Sequence, residues 1–184
     1  MFVRKGEGMA KSGRDAEREG LLYVANLMCV AARTAPKARG MDNIVSTVLT
    51  GKEKESLARK MERFGKTTER PPVFARDANN VRQAQAVVLI GTKFDPVGLN
   101  CGFCGFENCQ KCKQAHSRCA HNSGDLGIAV GSAVSIASNN RVDSRVMYTV
   151  GWTSVQGKIL GEKVKMVLGI PLSASGKNIF FDRK

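Results

Sequence analysis

Five of the six cysteines in this 184-residue chain fall between residues 101 and 119: Cys101, Cys104, Cys109, Cys112 and Cys119. Written as a spacing, the run is C-x2-C-x4-C-x2-C-x6-C. Thiols this crowded, in a stretch rich in Gly, Asn and Lys, are badly placed to fill a dry core, and what they can do together is hold metal. Cys29 stands apart between Met28 and Val30 in an apolar run, where a free thiol serves as a small buried hydrophobe.

Two metals compete for the run. Zinc takes four Cys or His ligands in a tetrahedron, commonly from two C-x2-C knuckles about 15–20 residues apart. Here the knuckles Cys101/Cys104 and Cys109/Cys112 are separated only by Gly105 to Asn108, with His116 and His121 as further candidate donors. An iron–sulfur cluster wraps thiolates around a larger inorganic core, which favours several ligands from one tight loop. Cys104, Cys109 and Cys112 also reproduce the C-x4-C-x2-C spacing of plant-type [2Fe–2S] ferredoxins. Iron–sulfur is therefore the leading expectation and zinc the lesser one. Gly102 and Gly105, each following a cysteine, let amides turn toward the sulfurs, while Phe103 and Phe106 would keep water away.

The stretch CGFCGFENC, Cys101 to Cys109, resembles the C-x2-C-G-x3-C opening of a small [4Fe–4S] domain. That domain occurs in the iron–sulfur subunit of Rnf-type electron-transport complexes and in corrinoid iron–sulfur proteins. Its fourth cysteine follows a helix, so the resemblance implies Cys101, Cys104, Cys109 and Cys119 as ligands. Cys112, one helical turn beyond Cys109, is the rival fourth ligand. A wider resemblance rests on AARTAPKARGMDNI (Ala31 to Ile44), on Asp125 to Gly151 and on GIPLSASGKNIFFDRK at the end of the chain. These segments are similar to an uncharacterised prokaryotic family of ferredoxin-domain-containing proteins.

The elements that must position the cysteines follow from periodicity. From Asp15 to Pro36, Leu21, Leu22, Ala25, Met28, Ala31 and Ala32 recur at helical spacing. Asn43 to Leu49 reads as a strand. Thr50 and Glu53 form a T-x-x-E capping box for a helix carrying Leu57, Ala58, Met61 and Phe64 and closed by Gly65. Pro71-Pro72 marks a loop before a short helix near Arg76–Gln83. The apolar run Ala86 to Thr92 reads as a buried strand. Asp125 is the expected N-cap of a helix to Ser138, rich in Gly and Ala, which invites close approach of another backbone or a flat ligand. A helix over Asp143–Gln156 and a strand over Val164–Gly169 complete the pattern.

This order is α+β: one domain over residues 1–184, with helices on a small mixed sheet and a cysteine-rich metal loop inserted at residues 95–124. It is similar to the nitroreductase-like fold, a flavoprotein architecture that forms an intertwined homodimer with FMN at the subunit interface. In that comparison Ala31–Pro36 matches the start of the A-x-x-A-P-S-x-x-N segment, and the helix after Asp125 takes the place of the central dimer helix. Lys37 stands where nitroreductases favour Ser, and Gly40 where they favour Asn. The resemblance implies Arg33, Lys37 and Arg39 as the cations for an FMN phosphate.

Composition bounds the function classes. Hydrophobic residues make up 42% and charged residues 24%, which excludes wholesale disorder. The longest uncharged run, Leu126 to Asn140, is shorter than the roughly 20 residues of a membrane span. The N-terminus lacks a secretory h-region, so a reducing cytoplasm is expected, with Met9 a candidate start. GIPLSASGKN lacks the spacing of a phosphate-binding P-loop, although Lys177 and backbone amides there offer an anion contact. The leading expectation is an electron-transfer protein carrying one cluster, linked to a partner protein, a small substrate or a flavin. An FMN-dependent oxidoreductase is its enzymatic form. The alternative makes the metal structural, with the +13 surface serving an anionic partner such as nucleic acid. Against nucleic acid, only 6% of residues are aromatic and no recognised basic–aromatic motif is present.

Overall fold

A computed structural model describes residues 10–181. The candidate start Met9 lies outside them. The first helix, α1 (Gly13–Thr34), begins where the Ser12 hydroxyl accepts the Asp15 amide, and it buries Leu21, Val24, Ala25, Met28 and Ala32. A single 3₁₀ turn at Ala38–Gly40 leads into β1 (Ile44–Leu49). Then come α2 (Gly51–Gly65), α3 (Pro71–Gln83) and β2 (Ala86–Lys93). Past an irregular stretch lie α4 (Cys109–Gln114), α5 (Ala120–Asn139), the short β3 (Asp143–Ser144), α6 (Tyr148–Gln156) and β4 (Val164–Ser173).

The strands form one sheet in the order β1-β2-β4-β3. Every pairing is antiparallel, which corrects the expected mixed sheet. The strand β2 is central and buried on both faces, so its side chains divide by parity between two cores. Ala86, Val88 and Ile90 join α1 and α5 on one side. Val87 and Leu89 join α2, α3 and α6 on the other. The helix α6 lies almost on the sheet: a Cβ added at Gly151 would stand 1.7 Å from the Val167 carbonyl oxygen. No larger residue fits there.

Five local expectations change. Pro71 and Pro72 open α3 instead of forming a loop, because proline lacks only a donor that the first helical turn leaves unused. Thr50 is the N-cap of α2, but its carbonyl, not its hydroxyl, takes the Glu53 and Lys54 amides, so no capping box forms. Asp125 lies inside α5, which starts nearly two turns earlier with Cys119 as N-cap. Its carboxylate is drawn inward, accepting the Ala38 amide at 3.2 Å from both oxygens. The expected helix over Asp143–Gln156 begins only at Tyr148, because Asp143 and Ser144 pair with the end of β4. The strand β4 runs to Ser173, well beyond Gly169, paired with β2 as far as Leu172 and with Asp143 at Ser173.

Candidate metal centre

The chain leaves β2 at Lys93 and has no regular structure until α4. Turning it back requires left-handed backbone, supplied by Asn100 (φ 49°), Gly102 (φ 69°) and Gly105 (φ 85°), and the Gly105 amide donates to the Gly102 carbonyl at 2.8 Å. Asn100 clasps the far end of the turn. Its amide donates to Cys109 Sγ at 3.3 Å, and its side-chain oxygen accepts the Cys109 amide at 2.9 Å. Asn108 then caps α4 by accepting the Lys111 amide.

Folded this way, the loop and the start of α5 share one pocket. Cys101, Cys104, Cys109 and Cys119 all line it, with Val97, Leu99 and Phe106 as apolar wall. Phe103, expected beside Phe106 as a shield, is 75% exposed. Among the described residues no three His, Cys, Asp or Glu side chains converge tightly enough to share a single ion. The four thiols are thus brought to one space between the loop and the start of α5.

The environments of the cysteines differ. An N–H from Phe106 directed at Cys104 holds its thiol below the ordinary range, against a smaller opposing effect of burial, and the Cys112 thiol and the Ala120 amide add to the lowering. Cys112 is 1% exposed and is not part of the pocket wall. Burial, then the adjacent Cys104 thiol, pushes its own thiol up to about 11. Of the two histidines, His121 lines the pocket with Nε2 3.6 Å from Cys101 Sγ, whereas His116 is exposed beyond α4.

The three cations expected at a flavin phosphate all have internal partners. Lys37 Nζ donates to the carbonyls of Ala32, Arg33 and Ala35, closing the C-terminus of α1. Arg33 pairs with Asp42 and donates to the Ile44 carbonyl. Arg39, itself at φ 56°, donates to the Val97 and Gly98 carbonyls at 3.0 and 3.2 Å. This last pair fastens the 3₁₀ turn to the cysteine loop, as the Asp125–Ala38 contact fastens it to α5. Sequence reasoning missed both contacts. One signal was available, since Asp125 is the sole charged residue between Ala120 and Asn140. In GIPLSASGKN the first residues are β4, and the turn beyond is closed by Ser175 donating to the Lys177 carbonyl.

Along α5, a Cβ added at Gly124, Gly127 or Gly131 would meet nothing within 4 Å, and Ile128 between them is exposed. That is an uncovered face of small residues. No described helix is long and apolar enough to cross a membrane.

A family described as an uncharacterized protein containing a ferredoxin domain matches residues 115–183, a span that includes Cys119 but not the cysteines before it. An uncharacterized protein of Archaeoglobus fulgidus is 41% identical over 185 residues, covering 95% of this chain and 98% of that one. Among solved structures, the nitroreductase CinD of Lactococcus lactis, in complex with chloramphenicol, has a TM-score of 0.57 at 12% identity, covering 92% of this chain and 95% of that one. A nitroreductase family protein of Clostridium novyi NT gives 0.57 at 14%, covering 97% and 85%. A nitroreductase with bound FMN from Desulfitobacterium hafniense gives 0.55 at 15%, covering 93% and 82%. At such identities the likeness shows the fold, which is nitroreductase-like α+β.

Proposed function

Because the chain belongs to the family of uncharacterised proteins containing a ferredoxin domain, we propose that it is an electron-transfer protein carrying one iron–sulfur cluster, of the [4Fe–4S] type. The observation that supports this reading most directly is the shared pocket of Cys101, Cys104, Cys109 and Cys119. When bound, the cluster would supply one-electron chemistry, and the chain's own residues would set its properties. Amides of Asn100 and Phe106 directed at Cys109 and Cys104 sulfurs would raise the potential, and Val97, Leu99 and Phe106 would limit water. Cys119, which lines the pocket, is the fourth ligand of this proposal, and Cys112, hydrogen-bonded to Cys104, is its rival.

The fold supports a flavin-linked version, in which FMN bound at the interface of a homodimer would exchange electrons with the cluster. The open glycine face of α5 is the surface proposed for that dimer. Arg33, Lys37 and Arg39 would have to give up internal partners to meet a phosphate. A cytoplasmic, reducing setting suits the free thiols.

Anaerobically purified protein should be brown, hold about four iron and four sulfide per chain, and bleach with dithionite. A colourless protein with one tightly held zinc would overturn the proposal and favour a structural metal. Flavin released on denaturation would establish the FMN-linked form. Sedimentation equilibrium at micromolar chain concentration should give twice the chain mass; a monomer there removes the dimer.

A further inference from the structure

Beside the cysteine pocket lies a second, much larger cavity of about 840 Å³, lined by none of the cysteines and, of the two histidines, by His116. Lys93 from the end of β2, Lys113 from α4, Arg118 from the turn before α5, Lys163 just before β4 and Lys165 within it converge on it. Against these five cations stands a single carboxylate, Asp95, whose nearest cation is Lys113 at 3.8 Å. Among the described residues, no ion pair neutralises Lys93, Lys163 or Lys165.

Three parts of the chain far apart in sequence thus hold like charges around one concavity. Such a cleft concentrates anions, because its field lines are focused between low-dielectric walls. The volume falls within the roughly 300–1,000 Å³ of small-molecule sites. An acidic protein surface would instead meet a convex basic patch. The floor also carries flat apolar surface: the guanidinium of Arg118 stacks 5.3 Å from the centroid of the Phe94 ring, which holds its donor fork in one orientation. An oriented Arg fork beside mobile Lys ammonium groups matches the oxygens of linked phosphates better than a lone carboxylate.

We infer that this cleft binds a small organic anion carrying at least two phosphates, of the nucleoside-diphosphate class. The wall segment from Lys113 to Arg118 runs between Cys112 and Cys119, so a bound ligand would stand alongside the cysteine loop. The inference does not rest on the identity of the metal.

Calorimetric titration of the anaerobically purified protein with ADP and with pyrophosphate tests it. ADP should saturate one site per chain with a Kd on the order of 10 μM at low salt, weakening about tenfold in 0.5 M NaCl. The charge reversal K163E/K165E should weaken ADP at least tenfold, and K113E about threefold. Both variants should keep the parent melting temperature and iron content. Lys52→Glu, on α2 and away from the cleft, should change the affinity less than twofold. No saturation by either probe up to millimolar concentration would overturn the proposal. So would equal losses for K52E and K163E/K165E, which would reduce the effect to overall charge. Binding of an acidic protein but of neither probe would overturn it as well. Iron and sulfide are assayed in the same samples, so a missing cluster and a missing ligand are read separately.

Discussion

The sheet and the cysteine loop of this protein are ordered by opposite means. The strand β2 is fixed by apolar burial on both faces, with Val87 and Leu89 on one side and Val88 and Ile90 on the other, all fully buried. The loop from residue 94 to residue 108 instead depends on left-handed backbone, on the Asn100 clasp and on two carbonyls held by Arg39. Burial is non-directional and tolerates approximate solutions, whereas a loop held by a few polar contacts takes one shape for each set of partners. What differs is where a substitution would be felt: in the sheet as lost stability, in the loop as a lost ligand geometry.

The largest separation is expected between two cysteines only a short distance apart in sequence. Cys119→Ala should abolish nearly all bound iron, while Cys112→Ala should retain most of it, as read by iron content and visible absorption of anaerobic protein. The reverse pattern would make Cys112 the ligand. Next comes the sheet. Leu89→Ala should cost about 2–5 kcal/mol in urea unfolding, through lost burial and the cavity left behind. Folded Leu89→Ala protein should still load iron at the parent ratio. A variant that folds but cannot load would mean that loop and sheet are one cooperative unit. The smallest effect is expected at the joint between the regions. Arg39→Ala removes two charge-assisted bonds at an exposed site, worth about 1 kcal/mol. Amide hydrogen exchange over residues 94–108 should speed up about fivefold, with β2 unchanged. Equal acceleration in both regions would contradict the separation.

The same difference decides what could be read in the sequence. The stripe of α1, the run of β2 and the face of α2 were legible because burial writes a period of 3.6 or 2 into neighbouring residues. The cysteine spacing was legible for a similar local reason, since one tight loop carries most of the donors. Failures came where local rules gave two answers. Pro71-Pro72 suits a loop or a first helical turn, and only the packing of α3 on α2 and α6 selects the helix. Asp125 suits an N-cap, yet its use is to hold Ala38, 87 positions away. The basic cleft was illegible altogether: Lys93, Lys113 and Lys163 become neighbours only through the antiparallel pairing of β2 with β4 and the return of the loop. A count of +13 gave no hint that part of the excess gathers in one hollow.

The strand order carries a consequence for biosynthesis. The strand β2 receives β1 on one edge as soon as the two are made, but its other edge belongs to β4, the last strand among the described residues. Throughout synthesis of the loop, α5 and α6, that edge has no partner and stays open to pairing with other chains. The cysteines leave the ribosome during this interval, before the sheet beneath them is complete. Nascent chains paused before Val164 should therefore be the most prone to aggregate, and the final strand is the one that closes the protein.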